Sequence, residues 1–438
     1  MIFGFGKRRR EEIEDEEPEI ELILFQGAMN GQEANLKENA KLVQAGLLPA
    51  KELVTDAILR RADRIRLEPK GKVAIVALSI DGINYPGGRM STQQALAVTQ
   101  MIKLLAGLDI KERKKTQQGG INAELQGTKW ELRVTSVGVP EGGERLTILP
   151  RNPKVHRVTP DDLGFASELK DKIREKMTNR SGIIITAGPP FSGTTTTSVG
   201  VLRSVDAYVY GIYSLYDAEG RDLGNVSPFE PNEGDDLDAT ITRLVRMESD
   251  IVFLPPLRDA ETAKTMFARQ GEIGMMCEMP ARDAAGAVVQ LVQWVGKDAV
   301  AEGLRGVVGQ KLIRLLCTTC REAFRPNPKL VQQVGLPPET RLLYRQARPP
   351  QPGERGEEPP PPCEVCGGVG YLGQTGMYEM IEMTDGMKQV IAAGGDAAAI
   401  RTQARKEKMP NLQQDGLRLA AEGKTSLEEL KRVFKAAQ

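Results

Sequence analysis

GIIITAGPPFSGTTTT, at residues 182–197, is the stretch that decides the fold of this chain. An apolar run followed by a glycine-containing loop and a polar, cap-rich segment is typical of a buried strand, a phosphate-binding P-loop and a helix. Such a loop holds an anion because successive backbone N–H groups and the helix N-terminus converge on it. Gly188, Gly193 and Thr195 meet the pattern G-x-x-x-x-G-K-[ST], but Thr194 stands in the place of the lysine. The sequence therefore predicts a P-loop that keeps its frame and lacks its cation.

Length and composition indicate an ordinary globular protein with several domains. The 438 residues allow roughly two to three domains of about 150 residues each. The 59 basic side chains balance the 59 acidic ones, so we expect no nucleic-acid partner. No apolar stretch approaches the ~18 residues of a membrane-spanning helix, and no signal-peptide core follows the N-terminus. We therefore expect a cytoplasmic protein that can attach peripherally to a membrane-bound partner.

The N-terminal third divides into a tail and a small domain. In residues 1–35 a basic run is followed by a dense acidic block, which predicts a disordered charged tail. Residues 36–155 combine a helical pattern at 92–110 with alternating strand patterns at 72–80 and 129–139. This mixture predicts a small α+β domain.

From about Pro160 onward, strand patterns alternate with helix patterns. The predicted strands are residues 182–187, 207–216, 250–254 and 273–277. A helix is predicted to follow each of the last two strands, from Asp259, whose side chain is suited to cap it, and from Asp283. Strands that alternate with helices predict a mostly parallel sheet covered on both faces.

The C-terminal part is predicted to be largely helical. Residues 306–320 are interpreted as a helix that runs into a cysteine pair, and residues 396–408 and 412–437 as further helices. Residues 347–362 contain seven prolines and are predicted to be a linker-like insertion.

Four of the five cysteines form two C-x-x-C pairs, which favours metal binding over disulfides in a reducing compartment. The spacing predicts a structural, tetrahedral Zn²⁺ site, with unpaired thiols or a redox pair as the open alternatives. The predicted zinc ligands are Cys317, Cys320, Cys363 and Cys366. Cys277 lies in a predicted buried strand and is interpreted as a small packed hydrophobic residue.

With these motifs in place, the chain resembles the type II secretion and type IV pilus assembly ATPases, from about Leu53 to the C-terminus. The P-loop stretch and a series of ordered strings carry the resemblance. The strings are RADRIRLEP (61–69), SIDG (79–82), GLDIKER (107–113), ELRVTS (131–136), MESDIVFLPPLRDAETA (247–263), DAAGAVVQLV (283–292), GQKLIRLLCTTC (309–320), CEVCGGVGYLGQTGMYEMIEM (363–383) and LRLAAEGKTSLEEL (417–430).

The resemblance implies an α/β architecture built around a RecA-like P-loop domain at 156–316. A PAS-like α+β domain at 36–155 precedes it. A tetracysteine zinc element at 317–375, which contains the proline-rich insertion, and a helical region at 376–438 follow it. The resemblance also implies ATP and Mg²⁺ as ligands and a ring of identical or related subunits. That ring would act on the cytoplasmic side of an inner-membrane secretion or pilus platform.

The departures from the family pattern fall where its chemistry lies. Thr194 replaces the P-loop lysine, and Phe191 replaces a flexible glycine. Pro255-Pro256 stands where the Walker B segment has Gly-Glu, and Pro280 stands where the family has a histidine. In the acidic box, Tyr216 aligns with a glutamate. These replacements predict weakened triphosphate binding and impaired ATP hydrolysis.

Three hypotheses follow for the function. The first is a degenerate family member that acts as a scaffold or regulatory subunit of a type II secretion or type IV pilus machine. The second is an active motor with substitute residues, and the third is a zinc-stabilised interaction module. Arg133 and Arg145 are candidates to reach a phosphate, as family arginines do. The candidate nucleotide-binding residues are Gly188, Ser192, Gly193, Thr194, Thr195 and Thr196.

Overall fold

The structure is a computed structural model and describes residues 21–140, 143–155, 159–177, 179–347 and 361–435. The chain divides into two units, Met1–Val155 and His156–Gln438, which are described separately. Most of the predicted tail lies outside the described residues. In the part of the chain that the structure describes, no helix has both the length and the apolar character needed to span a membrane.

The first unit is a seven-stranded antiparallel sheet with two helices against one face. Its sheet order is β1-β5-β6-β7-β2-β3-β4. In chain order its elements are β1 (Leu24–Ala28), α1 (Ala40–Leu59), β2 (Arg64–Lys70), β3 (Val73–Ile80), β4 (Ile83–Ser91), α2 (Thr92–Leu105), β5 (Gln117–Leu125), β6 (Thr128–Gly138) and β7 (Glu144–Arg151). Alternate strand residues face the core, as Ala74, Val76 and Leu78 do in β3. Against them pack the apolar faces of α1 and α2.

The predicted tail boundary at residue 35 is wrong. Residues 24–28 form β1, an edge strand that pairs antiparallel with β5. Just before it, Ile23 is fully buried, and its N–H donates to the Thr55 hydroxyl at 2.9 Å. The prediction of a disordered tail followed from the acidic block and overlooked this short apolar segment. The burial of Ile23 anchors the segment in the core.

The second unit is built on a seven-stranded sheet of order β10-β9-β11-β12-β8-β13-β16. Neighbouring strands are parallel except β16, which runs antiparallel to β13. From its start to β13, the elements are α3 (Ser167–Met177), β8 (Gly182–Gly188), α4 (Thr194–Leu202), β9 (Ile212–Ser214), β10 (Ser227–Pro228), α5 (Leu237–Arg246), β11 (Ile251–Phe253), α6 (Ala260–Ala268), β12 (Gly274–Pro280), α7 (Ala284–Val295), α8 (Lys297–Gly303) and β13 (Leu304–Leu316). Apolar clusters on both faces of the sheet confirm the predicted α/β layering.

The remaining elements follow β13. They are β14 (Glu322–Phe324), α9 (Pro328–Val334), β15 (Leu343–Arg345), β16 (Tyr371–Glu382), α10 (Asp385–Ala392), α11 (Ala397–Lys406), α12 (Leu412–Ala421) and α13 (Leu427–Lys435). Strands β14 and β15 form a separate two-stranded sheet. The predicted cap of α6 is confirmed, because Asp259 accepts from Thr262 N at 2.8 Å. Asp283 caps α7 in the same way, accepting from Gly286 N at 2.8 Å.

The predicted helix at 306–320 is wrong, because most of this segment is the strand β13. Two glycines explain why this segment forms a strand and not a helix. A Cβ at Gly306 would lie 2.9 Å from the Met380 side chain, and one at Gly309 would lie 2.6 Å from the Glu379 carboxylate. Close approach of β16 therefore favours glycine at both positions, while Val307 and Val308 are β-branched and fully buried.

Three further elements differ from the prediction. The strand predicted at 207–216 is reduced to β9, and Tyr208 before it is 91% exposed in a turn. The region from residue 376 is not purely helical, because β16 completes the edge of the main sheet. The last predicted helix breaks after Ala421, where Gly423 adopts a φ of +72°.

A buried ion pair gives the first unit a testable energetic feature. The Lys103 Nζ donates to Glu144 Oε1 at 2.5 Å, and both side chains are buried. Breaking a buried pair leaves an uncompensated charge in the core, so Lys103→Met is expected to lower the unfolding free energy by about 3–5 kcal/mol. The matched control, Arg60→Met, breaks the exposed Arg60–Asp56 pair and should cost less than about 1 kcal/mol.

Urea unfolding checks this prediction in a Trp294→Phe background. There Trp130, which packs against the core of the first unit, is the remaining tryptophan. Equal losses in the two variants would contradict a stabilising role for the buried pair.

Candidate functional site

The P-loop predicted from the sequence is present between β8 and α4. The Ser192 N–H donates to the Pro189 carbonyl at 3.1 Å and closes the turn. Gly193 caps α4 with a left-handed φ of +83°. Phe191, in the place of a glycine, also has a positive φ, +62°, and its side chain is 65% exposed. A bulky residue in this region is strained, so the loop keeps the glycine conformation at an energetic cost.

Gly188 is required by space at the point where the strand enters the loop. A Cβ there would lie 2.6 Å from Ser192 Oγ and 2.8 Å from Thr194 Cγ2. The Gly188 carbonyl also accepts the Ala281 N–H at 3.0 Å, which links the loop to the end of β12. The structure therefore brings Gly188, Ser192, Gly193 and Thr194 together in one tight turn. Their role in nucleotide binding stays a prediction.

Gln310 of β13 holds the loop from one side. Its amide group donates to the Ser192 carbonyl and, at 2.9 Å, to Ser192 Oγ. Its carbonyl oxygen accepts from Thr197 Oγ1 at 3.0 Å. Sequence reasoning missed this residue because the segment around it was interpreted as a helix.

Glu278 of β12 holds the loop from the other side. Its carboxylate accepts from Thr195 Oγ1 at 2.9 Å and from Ser198 Oγ at 3.4 Å. Burial raises the pKa of Glu278, against hydrogen bonds from Thr195 and Ser198 that lower it. Burial and the nearby Glu278 carboxylate also raise the pKa of Tyr216 to about 12, so this phenol stays protonated at neutral pH. The sequence shows that Glu278 stands two residues before Pro280, but it does not show that this carboxylate accepts a hydrogen bond from Thr195.

Arg221 contacts the first turn of α4. Its guanidinium donates to Thr196 Oγ1 at 3.3 Å and forms an ion pair with Glu219 at 2.7 Å. This arginine follows the acidic-box segment and brings a positive charge to the helix that carries the P-loop. The sequence gives no signal for Arg221, because this residue lies outside the P-loop and the other motifs.

The structure gives the family departures a definite position. Pro255-Pro256 follows β11, and the next residue, Leu257, donates its N–H to the Glu278 carbonyl at 2.7 Å. Pro280 ends β12. None of these three prolines offers a carboxylate, an imidazole or a backbone N–H donor. The end of β12, which is next to the P-loop strand β8, and the segment after β11, the next strand along, therefore carry prolines where the family has reactive groups.

Arg133 and Arg145 belong to the first unit, on β6 and β7. The Arg145 guanidinium is bonded to the Glu68 carboxylate, with Nε at 2.9 Å from Oε1. Their predicted reach toward a phosphate stays a prediction.

The four predicted zinc ligands lie together. Their sulfur atoms are all within 4.8 Å of one another, and Sγ of Cys320 is 3.6 Å from Sγ of Cys366. This separation exceeds a disulfide bond of about 2.05 Å and approaches the ~3.8 Å between two ligands of a tetrahedral ion with bonds of ~2.3 Å. Burial opposes ionisation of Cys317, but N–H groups of Cys320 and Thr319 lower its pKa to about 7. The donor set therefore fits a metal ion.

Cys277 is separate from this cluster. It is buried in β12, and burial raises the pKa of its thiol, as expected for a packed apolar side chain.

Comparison with known proteins finds relatives whose names refer to pilus assembly and type II secretion. The chain is 26% identical over 386 residues to a protein of Thermus thermophilus named Type IV pilus assembly ATPase PilB, covering 87% of this chain and 42% of that one. The Myxococcus xanthus protein of the same name is 28% identical over 385 residues, covering 86% and 66%. Type II secretion system protein E of Xanthomonas campestris is 26% identical over 391 residues, covering 88% and 66%. The chain thus spans about two fifths to two thirds of the length of these relatives.

Solved structures agree on the fold. The ATPase DotB of Legionella pneumophila superposes with a TM-score of 0.52 at 14% identity and covers 88% of this chain and 94% of its own. A family model described as Type II/IV secretion system protein matches residues 39–432. With the P-loop frame, the cysteine cluster and this match together, the chain belongs to the Type II/IV secretion system protein family.

Proposed function

We propose that this chain is a degenerate member of the family, with weak or no ATP hydrolysis. In this proposal it serves as a scaffold or regulatory subunit of a type II secretion or type IV pilus machine. The observation that carries the proposal is the P-loop itself. The lysine position is Thr194, while the hydroxyl groups of Ser192 and Thr195 are hydrogen-bonded to side chains of neighbouring strands. A RecA-like frame of this kind can support assembly without turnover.

The expected losses of phosphate-binding free energy and of catalytic rate are large enough to argue against ordinary ATP turnover. A lysine about 4 Å from a phosphate oxygen contributes up to roughly 4 kcal/mol at an effective dielectric constant near 20. The loss of a catalytic carboxylate costs on the order of 100- to 10,000-fold in rate. Here Thr194 removes the first group and Pro255-Pro256 removes the second. Loss of binding and loss of chemistry act in the same direction.

The proposed partners follow from the names of the relatives. Those relatives are named as pilus assembly ATPases and secretion system proteins. We infer a ring with identical or related subunits on the cytoplasmic side of a membrane platform, with no nucleic-acid partner. If nucleotide binds at all, the Thr195 hydroxyl is the group that would hold Mg²⁺, and the N-terminus of α4 would face the phosphates.

A second candidate function is an active motor with substitute residues. Two observations favour it: the Glu278 carboxylate lies 2.9 Å from Thr195 Oγ1, and the Arg221 guanidinium contacts the same helix. Such groups resemble, in kind, the acid and the cation that the motif lacks. The first proposal is favoured because Arg221 is neutralised by Glu219, and because Glu278 is bound to hydroxyl groups of the loop.

Steady-state phosphate release from the purified full chain tests the proposal. Wild-type protein is expected to release phosphate from MgATP no faster than the Thr195→Ala variant, because the loop already lacks its cation. Both proteins should have the same thermal midpoint within error before rates are compared. Turnover in the wild type that Thr195→Ala abolishes would show an active motor.

For the cysteine cluster we propose a structural zinc ion held by Cys317, Cys320, Cys363 and Cys366. When bound, zinc would join the end of β13 to the segment that leads into β16 and add folding free energy. No open ligand position is needed, so the ion is assigned no catalytic role.

Removal of one thiolate should expose this role. Cys320→Ser is expected to reduce zinc content from one ion per chain and to lower the thermal midpoint, as measured by elemental analysis and calorimetry. The control, Cys277→Ala, changes a cysteine outside the cluster and should keep full zinc content. Equal zinc content in the two variants would contradict the site.

A further inference from the structure

A buried carboxylate lies beside the P-loop, against the first turns of α4. Glu278 is only 6% exposed and lies on β12, the strand hydrogen-bonded to β8. It accepts the Thr195 hydroxyl at 2.9 Å and the Ser198 hydroxyl at 3.4 Å. These two hydroxyl groups stand on consecutive turns of α4 and face the same carboxylate. Glu278 therefore places a carboxylate at the helix N-terminus, where the helix dipole favours its ionised form.

Thr195 is the residue through which a P-loop reaches the metal ion of a metal–nucleotide complex. In this structure Thr195 donates its one hydroxyl proton to Glu278, which leaves the oxygen lone pairs for a metal ion, so the group that opposes a ligand here is the carboxylate. A ligand phosphate approaching the same turn would meet the Glu278 carboxylate at short range. Like charges repel strongly in a partly buried site, where screening by water and salt is weak.

The surrounding charges do not cancel this effect. The nearby acid Glu219 and the nearby base Arg221 form an ion pair with each other at 2.7 Å. Tyr216 is a neutral neighbour because of its raised pKa. The lysine that would attract a phosphate is absent at Thr194. Glu278 thus adds a negative charge to a loop that has no lysine of its own.

We propose that Glu278 is the intramolecular ligand of this P-loop and determines its specificity by excluding nucleoside polyphosphates and other phosphate anions. The proposal rests on the proposed function, since it explains how a loop without turnover keeps its shape. The carboxylate supplies the hydrogen bonds and the negative charge that a bound phosphate would otherwise supply. The loop then stays folded without nucleotide.

Isothermal titration of the full chain with MgADP and, separately, with inorganic phosphate tests the proposal. Glu278→Gln keeps the size and the acceptor oxygen but removes the charge, and it is expected to bind MgADP about tenfold or more tightly than wild type. The matched control is Glu379→Gln, which changes a mostly buried carboxylate of β16 that caps Ala284 N at 2.8 Å. The control should bind like the wild type.

A second variant guards against misfolding. Glu278→Thr retains a hydroxyl group for Thr195 and has high β-propensity, so it should also bind more tightly if charge is the cause. An affinity of either folded variant equal to that of wild type would overturn the proposal. A weaker affinity would overturn it as well, and would instead identify Glu278 as a metal-ordering group.

The two proposals fail in different measurements. Wild-type ATP turnover would contradict the proposed function, whatever the titrations give. Unchanged MgADP affinity in Glu278→Gln, with a wild type that does not hydrolyse ATP, would contradict only the specificity role of Glu278.

Discussion

Strand β8 is hydrogen-bonded on both sides, to β12 and to β13, and each neighbour brings one side chain to the loop in which β8 ends. From β12 comes Glu278, and from β13 comes Gln310. Glu278 lies near the carboxyl end of β12, and Gln310 lies one residue past Gly309, the last β13 residue paired with β8, so both stand at the edge at which α/β proteins bind ligands. The conformation of the P-loop therefore depends on the register of three strands, as well as on its own glycines.

This arrangement explains why a P-loop without a lysine need not collapse. A loop that holds phosphate carries several donors that would be costly to bury without partners. Here the hydroxyl groups of Ser192, Thr195 and Thr197 all have side-chain partners. Those bonds also fix the start of α4. The strained φ of Phe191 is tolerated because the rest of the loop is held at both ends.

The sequence was a good guide wherever a local pattern determines the structure. The P-loop frame, the cap Asp259 and each of the two C-x-x-C pairs are set by residue types at short spacing. It was a poor guide where tertiary contacts override local pattern. The segment at 306–320 has a helical apolar pattern, yet it is a strand because Gly306 and Gly309 allow β16 to approach.

The site shows the same division. Residues of the loop could be named in advance, whereas Glu278, Gln310 and Arg221 could not, because each belongs to another element and reaches the loop only in the folded sheet. A motif records the groups that chemistry needs next to each other in the chain. It contains no information about a neighbouring strand whose side chains make the hydrogen bonds that a bound ligand would otherwise make. For this reason the absence of a lysine, read alone, suggests a damaged site, while the contacts of Thr195 indicate a loop stabilised from within. Loss of the cation and gain of an internal carboxylate are then two parts of one electrostatic change: the loop exchanges an external anion for one of its own.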